Sequence, residues 1–313
     1  MTHVRPTTVL MLLLPALLAA CNSVPPSTTA DATALLSPRD LRALPRTPAD
    51  QRIAYGTDAE QFGELRVPRT PGPHPLVVLI HGGCWRADYA SLADLAPMAD
   101  ALKADGIATW NIEYRRLPQP GSGWPGTYRD VAQALDHVRV LAPTYALDLQ
   151  RVVVLGHSVG GHLAIWAAAR ARLPRDSALY VADPLPLAGV VNLAGAADLA
   201  AFHEVDINAC GVHVVEPMLG GTPASVPERY TQTSPIQLLP LGVPQVQIWG
   251  GLDDITPIRF GQDYARAAIQ AGDLVHLVTL PTLGHFDTAS PAAPSWPQVR
   301  AAISGLLAAP RQP

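Results

Sequence analysis

One short segment constrains the fold more than any other part of this 313-residue chain. An apolar, β-branched run over 151–155 breaks into Gly156-His157-Ser158-Val159-Gly160, and small residues with helical character follow over 161–172. This order predicts a strand, a sharp turn and a helix, with Ser158 at the apex of the turn. Glycines on both sides of the apex let the chain reverse where a Cβ would clash. The turn therefore presents the Ser158 hydroxyl as a candidate nucleophile. The alternative is a glycine-rich strand-to-helix connection without catalytic function, which has the same sequence pattern.

A serine nucleophile needs a general base and an acid that orients the base, and the chain offers both downstream. Residues 245–249 predict a buried strand, and the loop that leaves it contains Asp253 and Asp254. The run 274–280 predicts another strand, and His285 follows it after a glycine. None of the other nine histidines has this combination. Each candidate lies just beyond the C-terminal end of a strand, where open α/β sheets place their sites.

A third strand supplies candidate donors for an oxyanion. The uninterrupted apolar run 75–80 leads directly into His81-Gly82-Gly83-Cys84-Trp85. Glycines after a strand allow the backbone to approach a ligand and to direct N–H groups at it. The amides of Gly83 and Cys84, together with that of Val159 after the nucleophile, are therefore predicted to form an oxyanion hole.

From about residue 55 to residue 308 the chain resembles the α/β-hydrolase superfamily, most closely the esterase and lipase branch that includes BD-FAE-like carboxylesterases and kynurenine formamidases. The motifs that carry the resemblance are His81-Gly82-Gly83-Cys84-Trp85, Glu113-Tyr114-Arg115, Gly156-His157-Ser158-Val159-Gly160, Asp253-Asp254-Ile255-Thr256-Pro257 and Gly284-His285. The chain departs from many relatives by having Cys84 in place of a third glycine and Val159 in place of alanine. Both residues keep their backbone N–H.

The resemblance implies a serine hydrolase that cleaves carboxylic esters through an acyl-enzyme on Ser158. It implies that His285 is the base, and it favours Asp253 over Asp254 as the acid. No metal or organic cofactor is expected, and the expected partner is a small-molecule ester. The alternatives are an arylformamidase, a serine peptidase, and a binding module that uses the hydrolase fold without catalysis.

Alternation of apolar strands with helical segments predicts one α/β domain with a mostly parallel central sheet and helices on both faces. The segment 195–243 fits neither strand nor helix pattern well. A loop of that length inside a compact domain is usually functional, so residues 201–230 are predicted to form a lid over the substrate. A decorative insertion is the alternative.

The N-terminus has the pattern of an export signal. Residues 1–20 combine a short basic start, an apolar stretch over 9–18 that is too short to span a bilayer, and small residues before Cys21. Leu18-Ala19-Ala20-Cys21 resembles a bacterial lipobox, which predicts that Cys21 is acylated and that the protein is anchored by lipid in the cell envelope, at the outer membrane or facing the periplasm. An ordinary signal peptide cleaved near residue 20 is the alternative. Residues 21–50 are predicted to be a flexible tether, and residues 51–313 the catalytic domain.

The charge of the chain argues against nucleic-acid binding, and its cysteines raise the question of a disulfide. The net charge is −4 and 15% of residues are charged, which gives no basic surface for nucleic acid. The three cysteines include Cys84 in the oxyanion loop and Cys210 in the predicted lid. If Cys21 is acylated, these two are the remaining thiols of an exported protein and could form a disulfide. The alternative is that Cys84 and Cys210 are two small residues whose side chains do not come into contact.

Overall fold

The apolar runs of the sequence form the centre of one sheet in the computed structural model, which describes residues 1–3 and 34–309. The strands are β1 (Gln51–Ala54), β2 (Phe62–Arg66), β3 (His74–Ile80), β4 (Ala108–Ile112), β5 (Leu147–His157), β6 (Gly189–Leu193), β7 (Gln245–Gly250) and β8 (Val275–Leu280). They are arranged in the order β1-β2-β4-β3-β5-β6-β7-β8. The pairs β1–β2 and β2–β4 are antiparallel, and all other neighbours are parallel.

Helices cover both faces of the sheet. They are α1 (Pro38–Ala43), α2 (Ala96–Ala104), α3 (Gly126–Asp136), α4 (Val138–Tyr145), α5 (Val159–Ala169), α6 (Leu199–His203), α7 (Asp206–Cys210), α8 (Val215–Leu219), α9 (Pro227–Thr233), α10 (Arg259–Gln270) and α11 (Trp296–Ala308). The predicted α/β-hydrolase architecture is confirmed. Helices α3 and α4 follow each other directly, with His137 between them.

The central strands are apolar on both sides because both sides are buried. In β3, Leu76 and Val78 belong to the core that contains the α3 and α5 side chains, whereas Val77 and Leu79 belong to the core that contains those of α2 and α11. Successive side chains of a strand point to opposite faces, so one uninterrupted apolar run supplies both cores. This double burial fixes the C-terminal strand ends that carry the candidate site.

The tether predicted over 21–50 is too long at its C-terminal end. A compact unit begins at Leu35, and it includes helix α1, which the sequence analysis did not predict. Ser37 caps this helix, since its side chain accepts from the N–H of Asp40 while the Asp40 carboxylate accepts from the N–H of Ser37. Leu41 is buried in the core with α2 and α11. The capping box and one anchoring leucine hold a segment whose composition is typical of a linker.

The long segment predicted as a lid is helical. Residues 201–230 contain the end of α6, all of α7 and α8, and the start of α9. Asp206 holds this region together, because its buried carboxylate accepts from His213 Nδ1 at 2.7 Å and from the N–H groups of Val214 and Val215 at 2.8 and 2.9 Å. Short helices with irregular connections explain why neither regular periodicity was visible in the sequence.

Residues 4–33 and 310–313 lie outside the described part of the chain. The candidate acylation site Cys21, most of the predicted signal peptide 1–20 and the first part of the predicted tether therefore lie outside the described residues. Within residues 1–3 and 34–309, no helix combines the length and the apolar character that crossing a membrane requires.

Candidate active site

Ser158 lies in a tight turn between β5 and α5, with φ of 56° and ψ of −127°. Such backbone angles are costly for a residue with a side chain and persist only where the surroundings enforce them. Here the N–H of Ser158 donates to the carbonyl of Leu193 at 2.8 Å. A Cβ on Gly156 would lie 1.9 Å from the carbonyl oxygen of Gly160, and a Cβ on Gly160 would lie 2.1 Å from that of Ile80. Both glycines are therefore required by close backbone approach, as the sequence predicted.

Asp253 and His285 form a buried pair at the ends of β7 and β8. Nδ1 of His285 lies 2.7 Å from Oδ2 of Asp253, so the Nδ1–H donates to the carboxylate and Nε2 is left for a reacting group. The other oxygen of Asp253 accepts from the N–H groups of Ile255 and Thr256 at 3.0 and 2.7 Å. Asp254 is exposed. The structure brings the first aspartate of the pair to His285 and leaves the second in solvent.

The backbone of His285 is fixed by two side chains. The Thr288 hydroxyl donates to the His285 carbonyl at 2.8 Å, and Nε2 of His157 lies 3.1 Å from the same oxygen. Burial, with a smaller contribution from repulsion by His285, lowers the pKa of His157 to about 3. His157 is therefore neutral near pH 7 and acts as a hydrogen-bond donor to backbone. The position of His157 beside the glycine turn favours a structural bond to backbone, and its acceptor is the carbonyl of the distant His285.

The predicted oxyanion loop has an unusual backbone. Gly83, Cys84 and Trp85 have φ values of 105°, 54° and 52°, so three successive residues adopt the left-handed half of the map. Successive residues of this kind direct neighbouring N–H groups to one side. Within the described residues, no hydrogen bond uses the N–H of Gly83 or Cys84. Val159 is the first residue of α5, so its N–H has no acceptor inside the helix.

A buried polar network supports the oxyanion loop from behind. Nε2 of His81 lies 2.7 Å from Oε1 of Glu113, and the Tyr114 hydroxyl donates to the His81 carbonyl at 2.8 Å. Burial disfavours the charged Glu113 carboxylate, but attraction to His81, with further support from Arg116, lowers the pKa of Glu113 below its usual range. The Glu113-Tyr114-Arg115 motif signalled this region, although its role beneath the loop was not predicted.

The comparison with family models identifies the group to which these residues belong. The BD-FAE family model matches residues 65–265, which include Ser158, Asp253 and the oxyanion loop. The chain belongs to the BD-FAE family. The predicted resemblance to the esterase branch of the α/β-hydrolases is confirmed at this level.

The sequence identity between this BD-FAE chain and its individual relatives is low. It is 25% identical to Esterase LipC of Mycobacterium tuberculosis over 240 residues, which cover 75% of this chain and 59% of LipC. It is 33% identical to a kynurenine formamidase of Meyerozyma guilliermondii over 114 residues, which cover 36% of this chain and 40% of the formamidase. The chain thus spans less than two thirds of the length of either relative. The solved structure of Esterase B from Lactobacillus Rhamnosis shares the fold, with a TM-score of 0.71, 20% identity and coverage of 86% of this chain and 90% of that one.

Four of the candidate residues of this BD-FAE chain line one chamber of about 460 Å³. Ser158 and His285 line it together with Gly83 and Cys84. Its remaining lining consists of Pro38, Leu41, Arg42, Gly82, Asp88, Tyr89, Ala90, Asp94, Leu95, His157, Ala209, Cys210, Ile255 and Phe286. The volume falls within the range of about 300 to 1,000 Å³ that is usual for small-molecule sites.

A disulfide joins two walls of the chamber. Cys84 and Cys210 are bonded, with their Cα atoms 6.0 Å apart. The Tyr89 hydroxyl reinforces this link by donating to the Cys210 carbonyl at 2.7 Å. From the predicted lid, only Ala209 and Cys210 line the chamber among the described residues. The lid segment is therefore attached to the oxyanion loop at the end of α7.

The N-terminal helix supplies a wall that the sequence analysis missed. Pro38, Leu41 and Arg42 of α1 line the chamber, although they lie in the segment predicted as tether. The detectable signal was Ser37-Pro38-Arg39-Asp40, which has the spacing of a capping box with proline at the first helical position. No group of three or more His, Cys, Asp or Glu residues is placed to hold a metal ion within 34–309.

Proposed function

We propose that this protein is a carboxylic ester hydrolase that works through an acyl-enzyme on Ser158. The observation that carries the proposal is the 2.7 Å contact between His285 and Asp253 beside a chamber that Ser158 and His285 both line. A serine on a strained turn, a histidine oriented by a buried carboxylate and free backbone donors are the parts that acyl transfer requires.

The chemistry proceeds in two steps. Ser158 Oγ attacks the ester carbonyl while Nε2 of His285 accepts its proton, and the negative charge develops on the former carbonyl oxygen. The N–H groups of Gly83, Cys84 and Val159 bind that oxygen. The bond to the alcohol then breaks, and His285 returns the proton to the departing alkoxide. Water attacks the acyl-enzyme by the same route, which releases the acid and restores the serine.

Each supporting residue has a defined part in this scheme. Asp253 keeps the Nδ1–H tautomer of His285, so that Nε2 is free to accept a proton. The neutral state of His157 keeps a second positive charge away from the imidazolium that forms on His285. The name of Esterase LipC supports ester cleavage over other acyl transfers.

An active-site-directed fluorophosphonate and p-nitrophenyl acetate test the proposal together. We expect the wild type to be labelled at Ser158 and to hydrolyse the ester, and Ser158→Ala to lose labelling and at least about 10³ in kcat while remaining folded. Folding is checked by circular dichroism. A folded Ser158→Ala variant with nearly normal turnover would exclude this mechanism.

Arylformamidase is the second candidate, because one relative is named kynurenine formamidase. Both reactions would use the same acyl-enzyme, with an amine instead of an alcohol as the leaving group. The discriminating measurement is kcat/KM for N-formylkynurenine against kcat/KM for p-nitrophenyl acetate. A ratio of 10² or more in favour of the formamide, about 2.7 kcal/mol, would replace the ester assignment.

We also propose that the protein is a lipid-anchored component of the bacterial cell envelope. The lipobox Leu18-Ala19-Ala20-Cys21 supports acylation of Cys21, and several acyl chains would anchor the protein stably. Cys21→Ser should shift the protein from the membrane fraction to the soluble fraction or leave it unprocessed. Mass spectrometry of the mature N-terminus decides the matter, since an N-terminus without acyl chains would refute the anchor.

A further inference from the structure

We propose that Arg42 and Asp94 bind the α-amino acid group of a zwitterionic substrate, with the substrate carboxylate on Arg42 and the substrate ammonium on Asp94. The inference rests on the proposed function and narrows its substrate class to esters that carry an ammonium and a carboxylate on one carbon atom. Its starting point is that both side chains line the chamber that Ser158 also lines. They form an ion pair in which each partner keeps unused hydrogen-bonding capacity.

The Asp94 carboxylate is an acceptor without a donor. Its side chain is 14% exposed, and it faces Arg42, whose Nε lies 3.8 Å from Oδ2. Within residues 34–309, no hydrogen bond reaches either of its oxygens. Burial raises the pKa of Asp94 above its usual range. A partly desolvated carboxylate without donors is stabilised by a cation that brings its own N–H groups, and an ammonium brings three.

Arg42 offers the complementary donors. Its Nη2 donates to the Tyr89 carbonyl, which holds the guanidinium at the chamber wall. In the described part of the chain, Nε and Nη1 of Arg42 donate no hydrogen bond. The side chain is half exposed, so a molecule in the chamber can reach it. Guanidinium groups recognise carboxylates through such free donors.

The distance between the two charged groups favours a zwitterion over a single ion. At 3.8 Å, Nε of Arg42 and Oδ2 of Asp94 are too far apart for a hydrogen bond to each other, and each can bond an adjacent atom of a ligand. A ligand with only one charge would pair with one of these residues and bring a like charge against the other. An α-amino acid group offers each residue an opposite charge, because one carbon atom holds its ammonium and its carboxylate close together.

The turn that carries Asp94 is fixed to the oxyanion loop by one buried carboxylate. Oε1 of Glu113 lies 2.7 Å from Nε2 of His81, and Oε2 of Glu113 accepts from the N–H of Leu92 at 3.2 Å. Leu92–Asp94 forms one turn of 3₁₀ helix, and the Leu92 carbonyl accepts from Nδ2 of Asn111 at 2.7 Å. The acceptor for the ammonium is therefore held in place before a ligand arrives, which lowers the entropic cost of binding.

The ion pair lies at an edge of the chamber that is shared with a second cavity. Arg42 and Asp94 also line this neighbouring cavity of about 330 Å³, and among the described residues its lining includes neither Ser158 nor His285. A substrate held by the ion pair has to reach across the chamber to place its ester at Ser158. The substrate is therefore expected to have a spacer, such as an aromatic ring, between its amino acid group and its ester.

The first test measures inhibition of p-nitrophenyl acetate hydrolysis and does not depend on which side of the ester carries the zwitterion. L-Phenylalanine has both charges, phenethylamine has only the ammonium, and 3-phenylpropanoate has only the carboxylate. We expect L-phenylalanine to inhibit competitively, with a Ki at least about tenfold below those of the other two compounds. Asp94→Asn and Arg42→Gln should each abolish this difference.

A matched control removes the same charge from the same chamber. Asp88 also lines the chamber, but its carboxylate already accepts from Nε and Nη2 of Arg86 at 3.0 and 2.7 Å. Asp88→Asn should therefore keep the difference in Ki that Asp94→Asn abolishes. Fluorophosphonate labelling and circular dichroism verify that each variant has a reactive site and a native fold.

The second test measures kcat/KM for two pairs of esters. O-Acetyl-L-tyrosine and 4-ethylphenyl acetate differ in the amino acid group on the alcohol side. The γ-benzyl ester of L-glutamate and benzyl butanoate differ in the same group on the acyl side. We expect a preference of at least about tenfold for the zwitterion in one of the pairs, which identifies the side of the ester that faces Arg42 and Asp94, and we expect Asp94→Asn to remove it.

The outcomes separate this inference from the function on which it rests. Equal inhibition by L-phenylalanine and phenethylamine would overturn the zwitterion site, and so would equal turnover within both ester pairs. In either case, labelling at Ser158 and hydrolysis of p-nitrophenyl acetate would leave the esterase function standing. Absence of both labelling and ester turnover in the wild type would overturn the proposed function and the inference together.

Discussion

The guanidinium of Arg42 faces the carboxylate of Asp94 on the wall of the chamber, with Nε 3.8 Å from Oδ2. Arg42 also donates through Nη2 to the Tyr89 carbonyl. Burial raises the pKa of Asp94 above its usual range, and Arg42 opposes that shift. Helix α1 therefore contributes Arg42 to a charged pair with Asp94, in a chamber that Leu41 and Leu95 also line.

Arg42→Ala should weaken substrate binding more than it slows the chemistry. Arg42 lines the chamber, and its hydrogen bond and ion pair are made to Tyr89 and Asp94. We expect KM for esters of large, hydroxyl-bearing alcohols to rise several-fold, with kcat changed less than twofold, because ground-state and transition-state binding are lost equally. Steady-state kinetics on such an ester measure both constants. Arg39→Ala, an exposed arginine of the same helix, is the matched control, and an equal effect there would contradict the assignment.

The catalytic acid can be tested by a pair of adjacent substitutions. Asp253→Asn removes the carboxylate that holds the His285 tautomer and should lower kcat by several orders of magnitude, up to about 10⁴. Asp254→Asn alters an exposed neighbour and should change kcat by less than twofold. Turnover of p-nitrophenyl acetate at saturating concentration distinguishes them. If Asp254→Asn proved damaging and Asp253→Asn mild, the geometry of the pair would have been misinterpreted.

The sequence predicted the buried strands and the Ser158 turn better than it predicted helix α1 and the walls of the chamber. Strand β3 matches its predicted bounds to within one residue, because a strand buried on both faces is an uninterrupted apolar run. The turn at Ser158 was visible because only glycine permits its close backbone approaches. Helix α1 was missed because one buried leucine gives no periodicity. The chamber wall formed by Arg42, and the contact between the Phe202 and Phe260 rings, depend on long-range packing that no local pattern contains.

Two buried histidines should make the fold sensitive to mild acid. Burial lowers the pKa of His157 to about 3 and that of His162 to about 4, against about 6.5 in an unfolded chain. Between about pH 4 and pH 6.5 the unfolded state therefore binds more protons. Stability is full above pH 6.5 and decreases as the pH falls, by up to roughly 1.4 kcal/mol per pH unit for each histidine.

Urea unfolding at pH 7.0, 6.0, 5.0 and 4.5 measures this dependence. His162→Gln should reduce the slope of unfolding free energy against pH by about one proton, while it lowers stability at pH 7 through lost hydrogen bonds. His276→Gln, which alters an exposed histidine, should retain the wild-type slope. An unfolding free energy that stayed constant from pH 7 to pH 4.5 would rule out buried neutral histidines as a source of acid sensitivity.

The Cys84–Cys210 bond should stabilise the fold and keep the oxyanion loop in place. The two cysteines are separated by 126 residues, so by the chain-entropy argument the bond contributes about 5 kcal/mol. The Cys84→Ala/Cys210→Ala double variant should lose a stability of that order. Because the N–H of Cys84 belongs to the proposed oxyanion hole, dithiothreitol should also lower kcat of the wild type, and it should leave the double variant unaffected.

Thiol titration tests the bond itself, independently of stability. The Cys21→Ser protein, which has only Cys84 and Cys210, is unfolded without reductant and treated with a thiol reagent. We expect no reactive thiol per chain before reduction and two after it. Two reactive thiols before reduction would show that the cysteines are free. A bonded protein whose kcat is unchanged by reduction would instead restrict the bond to a stabilising role, because the Gly83 and Cys84 amides would then hold their positions through the Glu113–His81 network alone.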